Sequence, residues 1–262
     1  MFDINQTNNI GRLDLYKHKL EFKLIMDIVI LAGGRGTRLS EETTKIPKPM
    51  IKIGKLPILH HIVNIFRDYK CNNFYILTGY KHNIIKNYFS SKKFNDVKIN
   101  VINTRLNTET GGRINKIKNL IGRKNFLLTY GDGVSDININ KLKKFFYKKK
   151  KLCTLTVVRP PARWGTVVIK RNRIVKFEEK NQENEGWING GFMILSYKIF
   201  KLINFSSKTI LEKDVLPLLA RKNQLIAYKH KKFWHCMDNI RDKINLNKLY
   251  EKNQAPWIKK KF

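Results

Sequence analysis

From residue 27 onward the chain alternates short apolar runs with stretches whose apolar residues recur every three to four positions. The runs DIVILA (27–32), NFYILTG (73–79), residues 97–102, NFLLTY (125–130) and LCTLTVV (152–158) predict β-strands. Nearly continuous apolar character suits strands covered on both faces. Amphipathic spacing predicts helices near 57–70, 82–90, 113–121 and 139–150. The pattern then changes. GTVVIKRNRIVKFEE predicts a β-hairpin turning at Arg171-Asn172, WINGGFMIL predicts a further strand, and helices follow near 208–221 and 239–251. The expected fold class is α/β: a Rossmann-like, mostly parallel mixed sheet flanked by helices, with additional antiparallel strands completing a pocket. Residues 26–262 are expected to form one domain. Residues 1–25 are polar and then weakly amphipathic, and read as an extension: an appended segment, or the product of a start codon placed upstream of Met26.

Composition narrows the function classes. The 262 residues include 53 Lys and Arg against 20 Asp and Glu, a formal charge of +33. Such an excess raises a nucleic-acid partner as a reading, because cations on phosphates release counterions. The Lys residues are spread along the whole chain together with Ile and Asn, however, and form no basic stripe with interleaved aromatics. A solvated basic surface is therefore the favoured reading, with no nucleic acid as partner. Cys71, Cys153 and Cys236 are far apart and odd in number, which argues against a disulfide framework or a zinc site and suits a reducing compartment. The six histidines show no metal-ligand spacing. Lys23 and Asp27 interrupt the best apolar stretch, so no membrane span is expected, and the polar N-terminus is no secretory signal. A cytoplasmic location is the expectation.

The candidate chemistry begins where the first strand ends. In an open parallel sheet, ligands sit at the carboxyl ends of the strands. There Gly33, Gly34 and Gly36 allow a close backbone approach, and Thr37 and Arg38 add a hydroxyl and a guanidinium. Backbone amides turned toward an anion would make this a diphosphate or triphosphate cradle. Its spacing is neither GxxxxGK[ST] nor GxGxxG. Lys48 follows between Pro47 and Pro49, which stiffen the segment that carries its charge. Asp132 ends the strand at 125–130 on the same sheet edge, and Asp238 precedes the last helix. Read singly, these are a turn residue and a helix cap. Read with a phosphate loop, two carboxylates suggest Mg²⁺ held on phosphate oxygens.

LAGGRGTRL (31–39), followed by PKPM (47–50), resembles the signature of the sugar-phosphate nucleotidyltransferase family. TGGR (110–113), TYGDGV (129–134), LTVVRPPARWG (155–165), INGGF (188–192), FW…MD…RDK (233–243) and APW (255–257) resemble its glucose-1-phosphate cytidylyltransferase branch. The resemblance runs from Met26 to about Trp257. It implies a nucleotide-diphospho-sugar transferase fold, with a nucleotide half over about 26–135 and a sugar-phosphate half over about 150–250. It implies CTP + α-D-glucose 1-phosphate → CDP-glucose + pyrophosphate with Mg²⁺, serving deoxysugar and surface-polysaccharide synthesis, by a homo-oligomer. Carried residue by residue, it implies Arg38, Lys48 and Asp132 as catalytic and Asp132 and Asp238 as metal ligands. Leu31, Ala32, Gly33, Gly34, Arg35, Gly36, Thr37, Thr108, Thr110, Gly111, Arg113 and Gly131 would surround the nucleotide. Glu179, Lys180, Asn189 and Gly190 would bind the sugar phosphate. The chain departs from the family pattern at Ile46, at GKLP (54–57), at Asn103-Thr104-Arg105 and at Asn181. Within the class, the alternative is the same reaction on another nucleotide or sugar 1-phosphate. Outside it, the alternative is a basic nucleic-acid-binding protein.

Overall fold

The computed structural model describes residues 26–92, 94–161, 165–179, 182 and 186–259, without the side chains of Arg38, Ser40 and Glu41. The extension over 1–25 and the Lys180 candidate lie outside the described residues. Strand β1 (Asp27–Ala32) is buried along its whole length, and its alternate residues feed two cores. Ile28, Ile30 and Ala32 share one core with Phe66, Phe74 and Phe192; Val29 and Leu31 share the other with Ile114, Leu128 and Leu195. A strand with both faces covered needs apolar residues at consecutive positions, hence the unbroken IVILA.

The longer elements after β1 are α1 (Ile58–Arg67), β2 (Asn73–Thr78), α2 (His82–Ser90), β3 (Lys98–Asn103) and α3 (Thr110–Asn115). Then come β4 (Phe126–Tyr130), β5 (Gly133–Ser135), α4 (Ile139–Lys149), β6 (Cys153–Val158), β7 (Thr166–Lys170), β8 (Arg173–Glu178) and β9 (Ile188–Leu195). The last are α5 (Leu216–Arg221), β10 (Leu225–Lys229), β11 (Trp234–Cys236) and α6 (Ile240–Glu251). Seven strands form the main sheet in the order β10-β6-β9-β4-β1-β2-β3. Strand β9 is antiparallel to both neighbours, and the other pairings in this sheet are parallel. The expected α/β class with a mostly parallel mixed sheet is what forms. Among the described residues, no helix is long and apolar enough to cross a membrane.

Two helices differ from their predicted spans. The helix expected at 113–121 divides into α3 and a single turn at Lys118–Ile121. Its start moves back to Thr110 because Gly111 and Gly112 press against the 206–209 loop. A Cβ on Gly112 would lie 2.8 Å from the Ser206 and Ser207 carbonyl oxygens. The helix expected at 208–221 becomes a π-helical turn, Leu211–Val215, leading into α5 with Pro217 in its first turn. Hairpin β7–β8 turns at Arg171, as expected, with φ +51°.

Helix α1 carries two adjacent histidines that the fold holds neutral. His61 Nε2 lies 3.0 Å from the Ile53 carbonyl and its Nδ1 accepts from Trp257 Nε1 at 3.4 Å, which requires the Nε2–H tautomer. Burial pushes its pKa down. His60 is pushed down to about 4 by burial, helped by His61, Arg67 and Lys92. The unfolded chain takes up these protons near pH 6.5, whereas the fold resists them, so the stability they contribute is present above about 6.5 and lost toward 4. The urea unfolding midpoint is accordingly expected to fall between pH 7 and pH 5; a flat profile would contradict this.

Candidate active site

The glycine loop leaves the carboxyl end of β1 and is shaped from two sides. Gly36 has φ +68°, and a Cβ there would meet Lys48 Cβ at 2.8 Å, so only glycine lets the loop lie against the lysine stem. On the other side stands Arg113, which is buried. Its Nη2 donates to Gly33 O at 3.1 Å; its Nη1 donates to Thr78 O and Arg105 O at 3.0 Å and also bonds Thr104 Oγ1. A Cβ on Gly33 would lie 2.3 Å from the guanidinium carbon. Arg113 is one of the residues expected around the nucleotide. In this structure those nitrogens are committed to protein oxygens, and the side chain shapes the loop from beneath.

Lys48 opens the 3₁₀ turn Lys48–Met50, started by Pro47 at φ −68° and ψ 146° and closed by Met50 N donating to Pro47 O at 2.7 Å. The two prolines fix the backbone and burial fixes the stem. The Nζ donates to Asp132 Oδ2 and to Asp238 Oδ1, both at 2.8 Å. Burial works against this ammonium, but Asp132 and then Asp238 outweigh it and hold its pKa above the ordinary lysine range.

A three-residue ladder brings the distant aspartates together. Strands β5 and β11 pair antiparallel, Gly133 opposite Cys236 and Ser135 opposite Trp234, and Met237 N donates to Asp132 O at 2.9 Å. Each aspartate sits just beyond its strand. The cap of α6 is Asn239, one position after Asp238; Asn239 Oδ1 accepts from Asp242 N at 3.1 Å. Asp242 Oδ2 accepts from the backbone N–H of Asp238 at 2.9 Å and of Asn239 at 3.0 Å. This capping box leaves the Asp238 carboxylate available to the cleft.

Ligand atoms of Asp132, Cys236 and Asp238 all lie within 4.8 Å of one another. Burial and the neighbouring Asp132 push the Cys236 thiol up, so it stays protonated beside the carboxylates. Two hard carboxylates beside a phosphate-sized space suit Mg²⁺, which binds through one or two carboxylates and keeps the rest of its sites for water and phosphate. The residues present fit that ion.

The cleft has two lobes. One, of about 360 Å³, is walled by the β1 loop and α3; the other, of about 650 Å³, by β9, β11 and α6. Tyr130, Asp132 and Asp238 wall both. Of the expected nucleotide residues, Leu31, Ala32, Gly33, Gly34, Gly36, Thr37, Thr108, Thr110, Arg113 and Gly131 line the smaller lobe, together with Lys48. Arg35 lies over the Tyr80 ring, 5.9 Å from its centre. Gly111 packs against Thr209 instead, where a Cβ would be 2.8 Å from its methyl. Asn189 and Gly190 line the larger lobe at a β-bulge of β9, with Trp234 Nε1 donating to Gly190 O at 2.7 Å. Glu179 is exposed at the end of the hairpin and is not among the residues walling this lobe. Arg38 falls in the turn Thr37–Leu39, with its side chain outside the described set.

Sequence reasoning missed Tyr130 and Cys236. Both stand two residues from a candidate aspartate on a strand or its exit, and period-two spacing would have put each on its aspartate's side.

The nucleotidyl transferase family model matches residues 27–253, nearly the whole described chain. The chain belongs to the nucleotidyl transferase family. Similar relatives of this nucleotidyl transferase include the glucose-1-phosphate cytidylyltransferase of Salmonella typhimurium, 37% identical over 254 residues, covering 88% of this chain and 98% of the relative. The D-glycero-alpha-D-manno-heptose 1-phosphate guanylyltransferase of Aneurinibacillus thermoaerophilus is 31% identical over 193 residues, covering 73% and 84%. Among solved structures, HddC from Yersinia pseudotuberculosis superposes with a TM-score of 0.68 at 26% identity, covering 86% of this chain and 100% of that one.

Proposed function

We propose that this nucleotidyl transferase moves the cytidylyl group of CTP onto α-D-glucose 1-phosphate, releasing CDP-glucose and pyrophosphate. One observation carries the reaction class: a proline-pinned ammonium lies between two carboxylates where a glycine-loop lobe meets a second lobe. The choice of CTP and glucose 1-phosphate rests on the 37% identity with a cytidylyltransferase that covers 98% of that relative.

In this reading the nucleotide phosphates lie along Gly33–Thr37, where the loop offers backbone N–H groups with little side-chain bulk. The sugar phosphate lies in the larger lobe near Asn189 and Gly190. An oxygen of the sugar phosphate attacks the α-phosphorus in line; the new P–O bond forms as the α–β bridge breaks, and pyrophosphate leaves with the electron pair. No protein atom is the nucleophile. Lys48 moves from the carboxylates to the phosphates, where its ammonium offsets charge developing in the transition state. Arg38 is assigned the same duty on the leaving group. Asp132 and Asp238 would hold Mg²⁺, which would supply Lewis-acid neutralisation of phosphate oxygens. The catalytic contribution is position and charge. A domain spanning residues 26–262, a homo-oligomeric state, a cytoplasmic location and a role in deoxysugar supply for surface polysaccharide belong to the same proposal.

The test is product identity. CTP, glucose 1-phosphate and Mg²⁺ with the protein should give CDP-glucose and pyrophosphate in equal amounts by mass and phosphorus NMR. Pyrophosphate without the sugar nucleotide would overturn the assignment.

A further inference from the structure

We propose that Glu212 is a positioning residue that joins the nucleotide lobe to the sugar lobe by fixing Thr110 and Tyr130 with its two carboxylate oxygens; the proposal rests on the two-lobe reading above. Its Oε2 accepts from Thr110 Oγ1 at 2.8 Å, and its Oε1 accepts from the Tyr130 hydroxyl. Thr110 lines the smaller lobe, and Tyr130 lines both. Beyond Tyr130, Asn189 Nδ2 donates to the phenol oxygen at 3.3 Å, and Asn189 Oδ1 accepts from Gly191 N at 2.8 Å. The bonds run Thr110–Glu212–Tyr130–Asn189, from one lobe to the other.

The direction of each bond follows from the carboxylate. Both hydroxyls point their hydrogens at the Glu212 carboxylate oxygens, which accept. The Tyr130 oxygen is then left as an acceptor toward Asn189, whose Nδ2 faces the phenol while its Oδ1 faces Gly191 N.

The backbone is bent to present this side chain. Glu212 sits in the π-helical turn Leu211–Val215, a widened geometry frequent at functional sites. The turn is held at its entrance by Leu211 N donating to Thr110 Oγ1 at 2.8 Å and by Asp214 Oδ2 accepting from Ile210 N at 2.6 Å. Thr110 therefore grips the turn's first residue and its carboxylate at once. Glu212 itself faces solvent. Its truncation strands no buried charge, whereas it releases the hydroxyl of a half-buried tyrosine that lines both lobes.

The test compares Glu212→Ala, Glu212→Gln, Tyr130→Phe and the double variant Glu212→Ala/Tyr130→Phe in pyrophosphate release with CTP and glucose 1-phosphate. Glu212→Ala is expected to lower kcat/KM roughly 10²-fold for both substrates, as misplacement of a reacting group does, with both KM values rising by similar factors. Glu212→Gln, which keeps one acceptor, should recover part of that loss. The double variant should be no worse than the poorer single one, because both break one chain of bonds. Thermal midpoints should stay within about 2 °C of the parent, as for surface substitutions. Full activity in Glu212→Ala, additive losses, or a loss that follows the thermal midpoint would overturn the assignment. An inactive parent protein would instead overturn the proposed function, and this assignment with it.

Discussion

Replacing Asp132 by Asn is expected to lower turnover by roughly 10³-fold or more while the protein stays folded. The side chain keeps its shape and loses its charge. In the free protein Lys48 retains its second partner, because Asp238 Oδ1 is also 2.8 Å from Nζ. Asp132 keeps about a quarter of its side-chain surface exposed at 27%, so little folding energy depends on its ion pair. The loss falls on the charged state. An amide cannot supply the anionic oxygen that a hard divalent ion needs. Pyrophosphate release at saturating substrate, with circular dichroism as the folding control, measures both halves. Turnover within tenfold of the parent would remove Asp132 from the metal and catalytic roles assigned to it.

Replacing Lys48 by Met has two expected effects of opposite sign. Turnover should fall by roughly 10²–10³-fold, the usual cost of removing one transition-state charge partner. Divalent-ion binding to the free protein should strengthen. With the ammonium gone, Asp132 and Asp238 face each other without a cation, and their mutual repulsion favours any ion that enters between them. The Mg²⁺-induced rise in thermal midpoint should therefore be larger in Lys48→Met than in the parent. A smaller or equal rise would mean that the lysine and the ion do not share a site. Near-parental turnover would mean that the ammonium does not reach the phosphates.

Local features of the site were legible in the sequence. Apolar β1 leads into a glycine loop in which Gly33 lies against Arg113 and Gly36 against Lys48, too close for a Cβ at either position. Lys48 stands between prolines that hold its backbone, and Asp132 follows a strand on the same sheet edge. Features that depend on distant segments were not. The ladder joining β5 to β11 is three residues long on each side, too short for a period to show, yet it sets Asp238 beside Asp132. The π turn at Leu211–Val215 reads as ordinary helix because its apolar spacing is helical; its first N–H donates to Thr110, far away in the chain. Arg113 opens the helix expected at 113–121, and only the fold places the Thr78, Arg105 and Gly33 carbonyls around it. Helix α6 shows the same limit on a smaller scale. Asp238 and Asn239 are both good caps, and the bond from Asp242 N to Asn239 decides between them, while the Asp238 carboxylate bonds Lys48 in the cleft.

The nucleotide that the cleft turns over is the decisive measurement. With Mg²⁺ and glucose 1-phosphate held constant, pyrophosphate release should show a kcat/KM for CTP well above those for UTP, dTTP and GTP. Equal rates with all four would contradict the cytidylyl assignment, and release from none would contradict the placement of a polyphosphate between the glycine loop, Lys48 and the two aspartates.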